Sequence, residues 1–291
     1  MIRNVSSGII PLIKPPGISS NSAVGKIRRM VGVSKAGHTG TLDPAASGVL
    51  PVLIGRATRL SDILLSEDKT YVFEITFGLE TDTLDAEGKV IKRADSKFSE
   101  EDLAQALSFF TGKYSQMPPV YSAIKISGQK SYDLARKGII SDISPRNVTI
   151  SRLDIICRTG PDSYILRVGC SKGTYIRSLA KDIADRLGTC AYISLLIREK
   201  SGAFDINDSF TIEEISEMID KGDQSFIRTP ESYLNDFPAV TLNQNRKKAL
   251  ENGLETTVRI TDGVYRVYCG DTFYGLGKSS NNLLKLYIPL Y

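Results

Sequence analysis

The chain has 291 residues, 41% hydrophobic and 24% charged, with a net charge of +4. That mix supports a sizeable core in one large or two smaller domains and excludes wholesale disorder. The mild positive charge permits a polyanionic partner without demanding one. The four cysteines form no Cys-x-x-Cys pair, and His38 is the only histidine, so a zinc site is not expected and the cysteines read as thiols in a reducing compartment. No apolar run reaches transmembrane length. The first eleven residues lack the basic and apolar regions of a signal peptide. A cytoplasmic protein is expected.

Residues 9–13 form an apolar run that ends at the turn Lys14-Pro15-Pro16-Gly17. Ser20 or Asn21 then caps a helix. Its inward stripe is Val24, Ile27 and Val31, with Lys26, Arg28 and Arg29 off the stripe and Gly32 as its stop. Residues 33–56, rich in Gly, Thr, Ser and Pro, predict a loop that holds His38 and Asp43 and feeds a buried strand from Val49 to Ile54. Alternation of Tyr71, Phe73, Ile75 and Phe77 predicts a strand. Ser99 with Asp102 resembles a capping box, opening a helix through Leu103, Ala106, Leu107 and Phe110 to Gly112.

Residues 164–170 predict another strand. A helix over about 175–187 follows, with Ile176, Leu179, Ala180, Ile183 and Leu187 as its core stripe. Thr211 with Glu214 caps a further helix through Ile219. Strands and helices alternate without a βαβ rhythm, so the expected fold is α+β, a mixed, largely antiparallel sheet flanked by helices. The chain changes character between Pro230 and Pro238. Strand patterns at 257–261, 264–269 and 273–276 predict a small β-rich unit, dividing the chain into domains 1–232 and 236–291.

Taken locally, Asp43 before Pro44 reads as a turn. Five blocks give it a second meaning. They are Lys14-Pro15-Pro16-Gly17-Ile18-Ser19-Ser20; the loop from Gly37 through His38, Asp43 and Pro44 to Gly48; Lys69-Thr70-Tyr71 with Gly78 and Thr81-Asp82-Thr83-Leu84-Asp85; Pro118-Pro119-Val120-Tyr121-Ser122-Ala123-Ile124-Lys125; and Gly173-Thr174-Tyr175-Ile176-Arg177-Ser178-Leu179. In this order they resemble the bacterial tRNA pseudouridine synthase B family, over about residues 8–202 and more weakly to the end.

The resemblance implies a pseudouridine synthase fold ending in a small PUA-like RNA-binding domain, for which Gly275-Leu276-Gly277 and Leu284-Lys285 carry most of the similarity. It implies a stand-alone isomerase that converts uridine-55 in the T loop of tRNA to pseudouridine, with Asp43 as the catalytic carboxylate. Arg177 would pair with Asp43 and keep it charged. Tyr71 would stack on the flipped uracil and is a candidate base. Tyr175 and Leu196 would line the substrate pocket, and His38 and Lys14 would bind the RNA. The implied partner is the T-arm stem-loop of tRNA, with no membrane, no cofactor, no metal and no obligatory protein partner, the chain acting as a monomer.

An isomerisation that breaks the bond from N1 to the ribose and remakes it at C5 activates no water, hydride or phosphate. A carboxylate can serve it by attacking carbon or by removing a proton, and the sequence leaves both open. Lys14, Lys26, Arg28, Arg29, Lys35, Arg56, Arg59, Lys125 and Lys130 are candidate phosphate contacts. Ser19 and Ser47 stand where the family commonly has threonine. Ile197 precedes Arg198 where two basic residues are frequent, so one phosphate contact is missing. The alternatives are a non-catalytic RNA-binding or tRNA-folding protein on this scaffold, a guide-RNA-dependent synthase of the dyskerin type, and a glycosidase, which would need a second carboxylate of Asp43's standing.

Overall fold

A computed structural model describes residues 7–121 and 144–291, and between them the backbone of residues 125–126 and 129–130. The expectations for residues 122–124 and for the side chains of Lys125 and Lys130 lie outside the described residues. In chain order the elements are β1 (Ser7–Lys14), α1 (Ser20–Val31), β2 (Ala36–His38), β3 (Ser47–Gly55), α2 (Ser61–Leu65), β4 (Lys69–Phe77), β5 (Leu79–Thr81), β6 (Val90–Arg93), α3 (Glu100–Phe110), β7 (Gly112–Gln116), β8 (Lys125–Ile126), β9 (Gln129–Lys130), β10 (Arg146–Gly160), β11 (Ser163–Cys170), α4 (Ile176–Arg186), β12 (Ala191–Ser201), β13 (Phe204–Asp205) and α5 (Ile212–Asp220). A second group follows: β14 (Ala239–Leu242), α6 (Lys247–Glu251), β15 (Thr256–Thr257), β16 (Gly263–Cys269), β17 (Thr272–Ser280) and β18 (Leu283–Pro289).

The large sheet runs β1-β3-β12-β4-β11-β10-β7, with β2 on β3 and β13 on β12. Its described pairs are antiparallel except one. β12 meets β3 in parallel, with Ile197 opposite Ser47 and Arg198 opposite Gly48. β4 lies at the centre of the path and buries every second residue, Tyr71, Phe73, Ile75 and Phe77 among them. These side chains share one core with Val24 and Ile27 of α1, Leu103 and Leu107 of α3, Leu179 and Ile183 of α4, and Ile215 of α5. Each fully buried aliphatic or aromatic side chain contributes about 1.5–3 kcal/mol, so the helices are held mainly by their apolar stripes.

Local signals decide where the helices start. Ser99 and Thr211 both form full capping boxes with their N3 acids. Ser19, not Ser20 or Asn21, caps α1, accepting from the Ser22 amide, and Gly32 ends the helix at φ 70°. Ser20 is buried in the first turn and turns its hydroxyl elsewhere.

The C-terminal sheet has the order β14-β16-β17-β18-β15. The strand expected at 257–261 shrinks to β15, while β14 and β18 are additions to the sequence reading. This sheet has its own small core around Leu250, Val267, Tyr274 and Leu284. A further cluster joins it to the large sheet: Ile9, Val49, Leu53 and Leu60 pack with Leu234, Leu276, Ile288 and Leu290. Arg59 donates from Nη1 to the Pro289 carbonyl at 2.7 Å, and the Arg56 guanidinium lies 5.4 Å from the Tyr291 ring centroid. Both arginines, expected on phosphates, therefore engage the end of the chain. The four cysteines are free thiols, Cys157 exposed and the others buried. No helix among the described residues is long and apolar enough to cross a membrane.

Candidate active site

A cavity of about 550 Å³ opens beside the parallel seam of the large sheet, well within the size range of ligand pockets. Its walls include Asp43 from the β2–β3 loop, Tyr71 from β4, Tyr175 and Arg177 from the start of α4, and Leu196 from β12. Five of the seven residues expected at the site thus converge there. His38 and Lys14 are not among its walls.

Asp43 faces Arg177 across this cavity. The Nε of Arg177 lies 2.9 Å from Oδ2 of Asp43, and the two side chains are 7% and 37% exposed. The contact is an ion pair in which the Nε–H does not aim along a hydrogen bond. The rest of the guanidinium is fixed from the other side. Nη1 donates to the Thr83 carbonyl at 2.8 Å and lies 3.8 Å from the Asp85 carboxylate, and Nη2 donates to the Tyr121 carbonyl at 2.9 Å. Asp85 is held in turn by the Thr83 hydroxyl at 2.6 Å and the Glu87 amide at 3.1 Å. One arginine therefore joins three of the sequence blocks. The sequence reading gave Asp85 no role; its position in a five-residue polar block was the only signal.

The Asp43 loop is pinned by side chains that grip its backbone. Lys14 is fully buried, and its ammonium donates to the carbonyls of Pro15 and Ile18, both at 2.8 Å, and of Pro44 at 3.1 Å. All three of its donors are used within the protein, so Lys14 shapes the loop from beneath, and the RNA contact expected of it has no free donor in this structure. Burial pulls its pKa down to about 8, against the opposing pull of Asp43. The Ser20 hydroxyl gives its proton to the Leu42 carbonyl at 2.9 Å and accepts the Leu42 amide at 2.8 Å. The Gly17 amide adds a bond to the Pro44 carbonyl at 2.9 Å.

Arg198 completes the clamp. It is 1% exposed, donating from Nε to the Val49 carbonyl at 2.7 Å and from Nη2 to the Gly40 carbonyl at 3.0 Å, one on each side of Asp43. In the sequence Arg198 figures only as the basic residue after Ile197; burial places it inside. Gly48 makes this packing possible. At its φ of 104°, a Cβ would sit 2.3 Å from the Arg198 carbonyl oxygen.

Tyr71 is 9% exposed, and burial raises its phenol pKa, with the Arg198 charge opposing that rise. Tyr175 is the residue before α4. Buried Gln116 holds its backbone from both sides, accepting its amide at 2.8 Å and donating to its carbonyl at 3.0 Å. Leu196 lies opposite Phe73 in the β12–β4 ladder and packs partly into the core while lining the cavity. His38 is half-buried in β2 opposite Val52, and burial followed by the Arg198 charge lowers its pKa. The cavity walls also carry Lys69, Arg146 and Lys172. Lys69 is buried and spends its ammonium on the carbonyls of Leu65 and Glu67, its pKa lowered to about 8 chiefly by that burial. Among the described residues, cations surround a single acidic wall residue, Asp43, a distribution that draws in a polyanion. The described residues hold no cluster of three or more side chains suited to a metal.

Comparisons with known proteins place the chain in a family. The family model for the N-terminal domain of TruB family pseudouridylate synthases matches residues 28–176. The tRNA pseudouridine synthase B of Clostridioides difficile (strain 630) is 40% identical over 286 residues, covering 94% of this chain and 95% of that protein. The protein of the same name from Caldanaerobacter subterraneus subsp. tengcongensis is 40% identical over 282 residues, covering 96% and 97%. Among solved structures, a Cbf5-Nop10-Gar1 complex matches with a TM-score of 0.71 and 28% identity over 94% of this chain and 78% of that one. With a family model spanning half its length and relatives 40% identical from end to end, the chain belongs to the TruB family of pseudouridylate synthases.

Proposed function

We propose that this chain isomerises uridine-55 in the T loop of tRNA to pseudouridine, without a guide RNA, using Asp43 as the catalytic carboxylate. The observation that carries the reading is the Asp43–Arg177 ion pair at 2.9 Å on the wall of a cation-lined cavity whose walls also carry Tyr71. The relatives that share 40% identity over nearly the whole chain are named as tRNA pseudouridine synthases. A uridine must leave its stack to meet Asp43, and the exposed ring stacks on an aromatic wall such as Tyr71 at a gain of ~1–3 kcal/mol. Arg177 orients the carboxylate toward the ribose or the base, Tyr175 and Leu196 bound the pocket, and Arg146 and Lys172, exposed at the cavity, meet phosphates. Residues 1–232 supply the chemistry, and residues 236–291 form a second RNA-binding unit.

The guide-dependent reading keeps one supporting observation, the fold-level match to the Cbf5-Nop10-Gar1 complex. Its 28% identity is well below the 40% shared with the tRNA synthases. The test is tritium release from tRNA labelled at uracil C5, with the modified position mapped afterwards. Release at position 55 from the purified chain and tRNA alone is expected. Release only after a guide RNA or partner proteins are added moves the chain to the dyskerin type. Binding without release makes it a non-catalytic tRNA binder.

A further inference from the structure

Arg198 is the largest side chain buried to this degree among the described residues. A buried guanidinium is costly unless it is paired, and among the described residues no carboxylate forms an ion pair with it. Two of its nitrogens are committed to the Gly40 and Val49 carbonyls, on either side of Asp43. Its third, Nη1, lies near Gly40, where a Cβ would stand 3.5 Å away.

The strand register says what else this charge faces. Arg198 sits directly opposite Tyr71 in the antiparallel β12–β4 pair. Directly opposed residues on one face hold their Cβ atoms about 4.5–5.5 Å apart. Both side chains line the cavity, and the guanidinium is close enough to the Tyr71 hydroxyl for its charge and a side-chain hydrogen bond to oppose the effect of burial on the phenol. The cation thus grips the backbone of the Asp43 loop and lies opposite the ring expected to hold the base.

We propose that Arg198 is a positioning residue that sets the Tyr71 hydroxyl against the Asp43 loop and supports that hydroxyl as a proton carrier in the reaction. This rests on the reading of the site as a pseudouridine synthase pocket. When Tyr71 gives or takes a proton, the phenol oxygen moves between neutral and anionic forms, and the guanidinium opposite it compensates the charge. Lys69, Lys14 and His38 also feel the Arg198 charge, which lowers the pKa of each. Lys14 and Lys69 direct their ammonium groups to carbonyls, and among the described residues Arg198 is the cation whose charge acts on the phenol.

The test is a double-mutant cycle of Arg198→Lys and Tyr71→Phe in the full chain, read as single-turnover rates on tRNA from pH 6 to pH 9. In the native background Arg198→Lys is expected to slow the chemical step about 10- to 100-fold, the span that coupling between touching residues allows. In the Tyr71→Phe background the same change should cost less than about 3-fold. A neutral second variant, Arg198→Gln, should lose more than Arg198→Lys at every pH from 6 to 9, because burial keeps the phenol protonated across that window and only lysine restores the charge opposite it, and this advantage of lysine over glutamine should vanish with Tyr71→Phe. Equal losses in both backgrounds overturn the proposal, since Arg198 then acts through the loop alone. Loss of the fold in both variants, read by circular dichroism, also overturns it by making the residue purely structural. A native chain with no turnover on tRNA is a separate result, which defeats the reading of the site and not the role of Arg198 within it.

Discussion

The loop that carries Asp43 is held through its own backbone. Carbonyls of Gly40, Leu42, Pro44 and Val49 accept from Arg198, Ser20 and Lys14. Across the cavity, Arg177 is held through its side chain, by the Thr83 and Tyr121 carbonyls and beside Asp85. The first wall spreads its support over several neutral-acceptor hydrogen bonds, so removing one leaves the others in place. The second concentrates its support on one buried cation between two acids. Net hydrogen bonds contribute about 0.5–1.5 kcal/mol each, whereas stripping one partner from a buried charge pair costs about 3–5 kcal/mol. The loop should therefore tolerate single losses that the Arg177 wall does not.

Arg177→Met is expected to cost as much stability as any change at the site and, with Asp43 itself left in place, to cost the most turnover. It leaves Asp43 and Asp85 facing each other without their cation, and about 3 kcal/mol should be lost, the lower end of the buried-pair range because Asp43 is partly exposed. Urea unfolding measures it; a change under about 1 kcal/mol would show that the pair adds nothing to the fold. Gly48→Ala attacks the seam on the other side. Its Cβ would strike the Arg198 backbone at a φ that disfavours any side chain, so overpacking and strain together should cost about 2–4 kcal/mol. Melting curves should register that loss, and an unchanged melting temperature would mean that β3 can part from β12 freely.

Ser20→Ala should cost less, about 1–3 kcal/mol, by leaving the buried Leu42 amide and carbonyl without their partner. Its turnover should fall by a smaller factor than that of Arg177→Met; the reverse order would break the contrast between the walls. The smallest effect concerns pH. Lys14 has a pKa of about 8 in the folded chain against 10.5 unfolded. Between those values the unfolded chain holds a proton that the folded chain has released, so stability rises with pH across that window, and the penalty for burying the charge is complete below pH 8. The slope from this residue is at most about 1.4 kcal/mol per pH unit. Lys69 adds in the same direction. Lys14→Met should flatten the rise in melting temperature between pH 8 and pH 9.5 to the share that Lys69 supplies; an unaltered slope would contradict the buried charge.

Much of the molecule was readable because its signals are local. Both capping boxes lie three residues apart in sequence, and the alternation of β4 spells out which face is buried. Asp43, Tyr71, Tyr175, Arg177 and Leu196, to which the family resemblance pointed, line one cavity. β10 escaped because its fifteen residues bury few side chains and so carry no clean period of two. Ser20 and Ser19 are both good caps by composition, and only the distant Leu42 decides between them. Arg198 and Lys14 look like any surface cations in sequence. Their burial depends on carbonyls up to 158 and 30 residues away, which no window of local sequence contains.

The account turns on Asp43. Asp43→Asn keeps the shape of the side chain and removes its charge and nucleophilicity. Single-turnover release of tritium from tRNA labelled at uracil C5, with binding measured on the same RNA, separates chemistry from recognition. The expected result is a rate at least ~10⁴-fold lower, about 5.5 kcal/mol of transition-state stabilisation, with tRNA binding preserved. A variant that keeps a tenth of the native rate would contradict the account.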